Sequence, residues 1–385
     1  MSPSERERIA AALDRAWREW RALGVLRHVA VMVGLVLVVL IRWWPEVSYP
    51  EPLRDDRCYV AGFEAARQQR PLYQESCYLY PPVFAEVGGW VSSAIGTLPT
   101  VRLRRAANVL GIVVIAWLAA AWVPVTLAGR AAVALALVLS SPAVAFGMEC
   151  ANLSLAVAGL MGAALMWWRE YPVAAGLSLG IGVGVKPIAP LAAAVLSVHR
   201  PQPASRKQWV AGGLGLVLAA VMILAVPGLR DFLLLAERGL EHRTASVHRL
   251  VYLLIGPGYS GITSMVVGVI ALWWVRRLGP MGRLQAAAIA IAATLSATPL
   301  VWGHTHVASV PIQGAVLAVW WLRREHRVPL ETVAVMLSLA ASHLAQGVTG
   351  VYGSSSPWLE AVGVVPTTLA PIVLAGYLVW ASEPV

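Results

Sequence analysis

Read for hydropathy alone, the chain is a succession of long apolar runs separated by short polar or basic joints. Windows long enough to cross about 30 Å of hydrocarbon fall near 25 to 44, 104 to 128, 131 to 147, 153 to 168, 208 to 228, 261 to 275, 284 to 302, 307 to 322, 328 to 346 and 360 to 381. The stretch YPVAAGLSLGIGVGVKPIAPLAAAVLSVHR adds one broken span or two short ones, interrupted at Lys186-Pro187. Helices are the expected element throughout, because a backbone inside lipid has to satisfy its own hydrogen bonds. The first segment differs. SPSERERIAAALDRAWREWRALG is basic and repeats Ile9, Leu13, Trp17 and Trp20 at helical spacing, which predicts an amphipathic helix over residues 1–24 lying at the membrane surface.

Composition and charge turn this pattern into a topology. With 58% hydrophobic and 13% charged residues, the chain lies outside the soluble range and reads as an all-α polytopic membrane protein. Its net charge of +10 sits in short arginine clusters between apolar runs, with no nucleic-acid motif, so membrane orientation accounts for it. The clusters Arg200/Arg206/Lys207, Arg276/Arg277/Arg283 and Arg323/Arg324/Arg327 are separated by pairs of spans, which puts them on one side, the cytoplasm. An odd number of crossings must then precede Arg200. The weakest candidate is YPPVFAEVGGWVSSAIGTL, which opens on two prolines and holds Glu86 and a Gly-Gly pair; it reads as a helix at the outer face. The result is a bundle of about twelve spans in the plasma membrane, both termini cytoplasmic. Arg102, Arg104 and Arg105 then fall at the outer end of a span, against the charge rule. Either the topology is wrong there or those arginines meet an anionic lipid group.

Residues 25–385 form a single transmembrane domain, with outer loops over 45–100 and 229–261. The outer face collects the candidate chemistry. Asp55 and Asp56 are either solvated loop charges or a general base, and at most one of two neighbours would point inward. Lys186 ends a glycine-rich apolar helix, where its ammonium snorkels to water or meets a phosphate. His242, Arg243, His248 and Arg249 are a solvated surface or a phosphate grip. His304 and His306, two residues apart in WGHTH, are not a helical metal pair, and no metal site is expected; they suit a sugar or phosphate hydrogen bond. In FGMECANLS, Glu149 and Asn152 are further candidates, with Asn152 also a helix cap. The pairs Trp167/Trp168, Trp273/Trp274 and Trp320/Trp321 read as an aromatic belt. Cys58, Cys77 and Cys150 match no zinc spacing, and a Cys58–Cys77 disulfide requires an outside loop.

Several of these motifs in order resemble glycosyltransferase family 87, the α-mannosyltransferase-like, polyprenol-phosphate-sugar-dependent enzymes of the GT-C superfamily. Asp55, Tyr59, Ala65/Ala66, Tyr73 and Tyr80-Pro81-Pro82 are similar to the family's first outer loop, and the spacing from Tyr59 selects Asp55 over Asp56. Pro142 with Ala151-Asn152 resembles a Pro followed by Gly-Gln or Gly-Asn, with alanine in the glycine's place. AGLSLGIGVGVKPIAP is similar to the Gly-rich helix ending in Lys-Pro, TASVHRL to a Ser followed by Arg-Leu (Ser246, Arg249), and SATPLVWGHTHVASVP to a Trp-x-His-His signature that keeps Pro299, Trp302 and His304 and has Thr305 for the second histidine.

The resemblance implies a GT-C-like bundle whose first extracytoplasmic loop carries interfacial helices. It implies a lipid-linked donor such as polyprenyl-phosphate mannose and a lipid or glycan acceptor, with no cofactor. Asp55 would be the base, Asp56 the second choice, and Tyr59, Tyr80, Asn152, Lys186, His248, Arg249, Trp302 and His304 would line the donor site. A secondary transporter or lipid flippase is the rival reading: it too would show about twelve spans and broken helices, but with polar groups near the midplane.

Overall fold

The computed structural model describes residues 3–73, 77–167, 171–186, 205–224, 247–248, 251, 255–256, 259–277, 283–298, 303–323 and 357–382. Every regular element among them is helical. The helices are α1 (Pro3–Arg21), α2 (Val25–Ser48), α3 (Arg54–Arg67), α4 (Pro82–Ile95), α5 (Thr97–Ala120), α6 (Leu127–Leu139), α7 (Pro142–Glu149), α8 (Ser154–Trp167), α9 (Pro172–Val185), α10 (Arg206–Leu224), α11 (Ser260–Arg277), α12 (Arg283–Ala297), a 3-10 segment (Gly303–Ser309), α13 (Val310–Leu322) and α14 (Pro357–Ser382). Among the described residues, α2, α5 and the run 305–322 are long and apolar enough to cross a membrane. The bent pair α6 and α7, 59° apart at the break before Pro142, would be a fourth. With the apolar composition, these helices make the chain an integral membrane protein. The predicted span 328 to 346 and the half of the broken stretch beyond Lys186 lie outside the described residues.

The two longest helices take different places. Only 11% of the apolar window of α2 is buried, against 72% for α5, so α2 stands at the rim and α5 in the middle of the bundle. A single line of residues, Leu35, Val39, Trp43 and Val47, turns α2 inward at helical spacing. Pro45 lies inside this helix and Trp43 leaves the helical φ/ψ region, which kinks the helix near its end.

Small residues let helices approach closely inside the bundle. A Cβ on Gly111 of α5 would collide with the Leu155 carbonyl of α8, and one on Gly159 would collide with Gly111. The matched positions rise together, Asn108 with Ala156 and Leu118 with Gly162, so α5 and α8 run parallel. Gly176 against Ala211 and Gly180 against Gly215 make α9 and α10 parallel in the same way. Lys186 at the end of α9 and Arg206 at the start of α10 therefore lie at opposite ends of that pair.

One end of the bundle is gathered by α1. Its Trp17 stacks on Trp122 at 5.0 Å, and its Trp20 packs against Trp117 at 5.8 Å. The Arg130 guanidinium donates to the Ala16 carbonyl at 2.9 Å. Ile9, Leu13, Trp17 and Trp20 are all buried. The helix predicted to lie on lipid thus spends its apolar face on protein, because the ends of α5 and α14 present a matching aromatic and aliphatic surface.

The other end is built from α3, α4, the start of α5, the turn between α7 and α8, and Lys186. The 14 residues of α4 reach roughly 21 Å at 1.5 Å per residue, and the helix packs on α3 and α5. Gly111→Leu is expected to force α5 off α8 and destabilise the fold by about 2 kcal/mol or more. Thermal unfolding in detergent, with size-exclusion chromatography for dispersity, checks this.

Candidate functional site

The site begins with Asp56. It stands on the face of α3 that also carries Tyr59, Phe63 and Ala66, one buried stripe at helical spacing. Asp56 is fully buried and is ion-paired with both Arg104 and Arg105 of α5. One oxygen takes the Arg105 Nε at 2.9 Å and Nη2 at 2.6 Å. The same oxygen also accepts the Leu53 N–H at 3.0 Å, closing the first turn of α3. Arg105 further donates to the carbonyls of Glu46, Tyr49 and Glu51, and Arg102 donates to the Ser48 carbonyl. The arginines expected to break the charge rule or to meet lipid thus bind protein. For the same reason α5 starts at Thr97, earlier than the predicted 104: its three arginines find partners in the protein from within the helix.

Beside this clamp Asp55 is turned the other way and is only partly buried. Its backbone N–H donates to the Cys150 carbonyl at 3.0 Å, tying α3 to the end of α7. Its carboxylate Oδ2 accepts the Asn152 Nδ2 at 2.5 Å; among the described residues no donor meets Oδ1. Burial, the largest influence, raises the Asp55 carboxyl above the ordinary carboxylate range. The Asn152 hydrogen bond and the charges of Lys186, Arg104 and Arg54 oppose that rise.

Asn152 is held by the way α7 ends. The Asn152 N–H reaches back to the Gly147 carbonyl at 2.8 Å and the Ala151 N–H to Met148 at 2.9 Å, the paired bonds of a Schellman motif. Ala151 occupies the left-handed position of that motif, φ 57°, where glycine is preferred. Asn152 then caps the next helix, one of the two readings its position allowed. Its Oδ1 accepts the Ser154 N–H at 2.9 Å at the start of α8, and its Nδ2 is shared between Asp55 and the Tyr80 hydroxyl at 3.1 Å.

Two tyrosines close the wall. Tyr59 accepts the Leu153 N–H at 3.1 Å and donates to the Tyr80 hydroxyl at 2.7 Å. Burial raises both phenols, so they stay protonated as neutral hydrogen-bonding groups. Tyr80 accepts from both Tyr59 and Asn152, which leaves its own O–H to donate. The Tyr-Pro-Pro segment is strapped down: Tyr73 donates to the Tyr80 carbonyl at 2.8 Å, and Tyr78 to the Pro81 carbonyl at 3.0 Å. Cys58 and Cys77 form a disulfide, with Cα atoms 5.1 Å apart. Gly62 and Gly88 leave room for the Tyr78 and Phe63 rings.

Lys186 arrives from the end of α9. It is buried, donates from Nζ to Ser154 Oγ at 2.5 Å, and lies 5.7 Å from the Tyr80 ring centroid. The structure therefore brings together Asp55, Asp56, Tyr59, Tyr80, Asn152 and Lys186. His248 is buried, with Nε2 2.8 Å from Ser264 Oγ of α11. Arg249, Trp302 and the His304 side chain lie outside the described residues. The 3-10 segment that carries His304 packs on α7 and α8, the helices flanking Asn152. Sequence reasoning missed Ser154 and Arg104. Ser154 has no signal beyond its place after Asn152; the signal for Arg104 was its own misfit to the charge rule.

No family model and no curated protein matches the chain, so the resemblance to family 87 rests on the motifs alone. Among solved structures, the chain is similar to the crystal structure of ArnT from Cupriavidus metallidurans in the apo state. Identity is 17% and the TM-score 0.44, over 92% of this chain and 77% of that one.

Two outcomes follow for stability. Asp56→Ala leaves two buried guanidinium groups without their counter-charge and is expected to cost about 3 kcal/mol or more, read as a lowered thermal midpoint. Ala151→Gly relieves the left-handed strain and is expected to raise stability by about 1 kcal/mol, read on the same assay.

Proposed function

We propose that the protein is an integral-membrane glycosyltransferase that moves a sugar from a polyprenyl-phosphate donor to a hydroxyl of a lipid or glycan acceptor, with Asp55 as general base. The observation that carries this reading is the carboxylate of Asp55, pinned on one oxygen by Asn152, lying in one cluster with the Lys186 ammonium and the Tyr80 hydroxyl. Asp56 takes the anchoring role, because both of its oxygens are engaged inside the fold. No ion is required: the leaving group is already a phosphate anion, and a fixed ammonium serves for its developing charge.

In the reaction, the acceptor hydroxyl gives its proton to Asp55 as its oxygen bonds to the anomeric carbon. The bond from that carbon to the phosphate oxygen breaks, inverting the centre, and polyprenyl phosphate departs against Lys186. Ser154 holds the ammonium in place, and Tyr80 donates to a substrate oxygen. Mannose is the sugar that the family resemblance favours. The Cys58–Cys77 disulfide supports placing this end of the bundle in an oxidising, extracytoplasmic compartment of the plasma membrane. The basic joints Arg130, Arg206/Lys207 and Arg323 then fall on the cytoplasmic side with both termini. The convergence of polar groups at one end favours this reading over a transporter or flippase, whose binding groups belong near the midplane.

Purified protein incubated with labelled polyprenyl-phosphate mannose and envelope lipid acceptors is expected to transfer the sugar. Asp55→Asn is expected to lower kcat by about a hundredfold or more, within the range of a lost general base, without changing the fold. Lys186→Met is expected to raise KM and lower kcat together. Because only ionised Asp55 accepts a proton and its carboxyl is raised by burial, kcat/KM is expected to climb with pH through values above the ordinary carboxylate range. Transfer that survives Asp55→Asn would overturn the assignment.

A further inference from the structure

We propose that Arg104 is the positioning residue of this site: anchored on Asp56, it grips the Ala151 carbonyl and so holds the turn that sets Asn152 against Asp55. The inference rests on reading Asp55 as the working carboxylate. Arg104 and Arg105 are neighbours on one helix and share Asp56, yet they do different things with their remaining nitrogens. Arg105 donates from Nη1 to the carbonyls of Glu46 and Tyr49 and from Nη2, which Asp56 also holds, to that of Glu51, fastening the end of α2. Arg104 instead donates from Nη1 to the carbonyl of Ala151 and lays its guanidinium over the Tyr59 ring at 4.3 Å. Its three contacts are thus α3, the α7–α8 turn and the tyrosine that bonds Tyr80.

The Ala151 carbonyl is the critical one. Ala151 is a non-glycine residue at φ 57°, a conformation that survives only where its surroundings hold it. The peptide group that Arg104 grips joins Ala151 to Asn152, so its orientation sets where the Asn152 side chain starts. Without the grip the turn is free to relax, and Asn152 loses its reach to the Asp55 oxygen 2.5 Å away. The groups facing Asp55 are Arg54 and Tyr59 on its own helix, Arg104 from α5, Cys150 and Asn152 from the turn, Tyr80 from the α3–α4 connection and Lys186 from α9. Of these, Arg104 alone bonds both Asp56 and the turn among the described contacts.

The test compares Arg104→Met with Arg105→Met, each of which takes one partner from Asp56. Asp55 is followed by carbodiimide labelling of the purified protein across a pH series, located by mass spectrometry, because only the protonated carboxyl reacts. Arg104→Met is expected to move the labelling midpoint of Asp55 upward by about one pH unit, whereas Arg105→Met lowers thermal stability and leaves the midpoint in place. The acid limb of the transfer pH profile is expected to move with the midpoint. Arg104→Lys keeps the charge that by itself lowers Asp55 and lacks the forked pair of nitrogens, so its midpoint is expected to rise as in Arg104→Met; a rise in Arg104→Met alone would report lost charge and overturn the proposal. Equal shifts in the Arg104 and Arg105 variants, or none in either, would overturn the proposal. Wild-type protein that transfers no sugar would sink the transferase reading, while the labelling comparison still decides the role of Arg104.

Discussion

Everything at the candidate site hangs on the carboxylate of Asp56 between two guanidinium groups. An unpaired carboxylate at zero exposure would be strongly disfavoured, as would two unpaired arginines in the first turns of α5. Paired, the three charges bind α3 to α5, and Arg105 adds the end of α2. Once α3 is fixed along that line, its register decides the rest. Asp56 faces inward with Tyr59 and Phe63, so Asp55, one residue earlier and about 100° around the helix, faces the turn after α7.

A second constraint places the partners of Asp55. Asn152 and Ser154 stand where α8 begins, and α8 is seated on α5 by the contact of Gly111 with Leu155 and Gly159. Lys186 stands where α9 ends, and α9 packs on α8. The close approach of these helices carries residues more than thirty positions apart in sequence to 2.5 Å, as between Lys186 Nζ and Ser154 Oγ. Loops alone would not hold such a distance, since each would have to be ordered against its own conformational entropy. The disulfide and the tyrosine straps do this work for the one wall that is loop, the segment leading into Tyr-Pro-Pro.

The two ends of the bundle are built differently. The α1 end is joined by aromatic stacking, by the bond from Arg130 to a backbone oxygen and by the ion pairs Arg130–Glu19 and Arg323–Glu5, which fasten helix to helix. The opposite end concentrates ionisable groups in a connected hydrogen-bond network from Lys186 through Ser154 and Asn152 to Asp55 and Tyr80. Such networks are stable only when their members are satisfied, which is why the inner groups serve as anchors. Asp55, with one oxygen that no described donor meets, is the member left with capacity for chemistry.

Much of this was written in the order of residues. Apolar runs dictate helices, because no other element satisfies its backbone in lipid. The two prolines of Tyr-Pro-Pro mark where α4 begins, and the helical repeat of Ile9, Leu13, Trp17 and Trp20 marks α1. The spacing of Asp55, Tyr59 and Tyr80 and the Lys-Pro after the glycine-rich helix pointed to the residues that meet. Only the tertiary structure decided what each charge faces. A run of hydrophobicity carries no information about partners, so Asp55 and Asp56 were alike in sequence, Arg104 and Arg105 looked misplaced, and the apolar face of α1 could equally have met lipid. Those choices depend on contacts across about fifty residues of separation, from Asp56 to Arg104 and Arg105, and a pairing energy between distant groups exists only once the helices that carry them have packed.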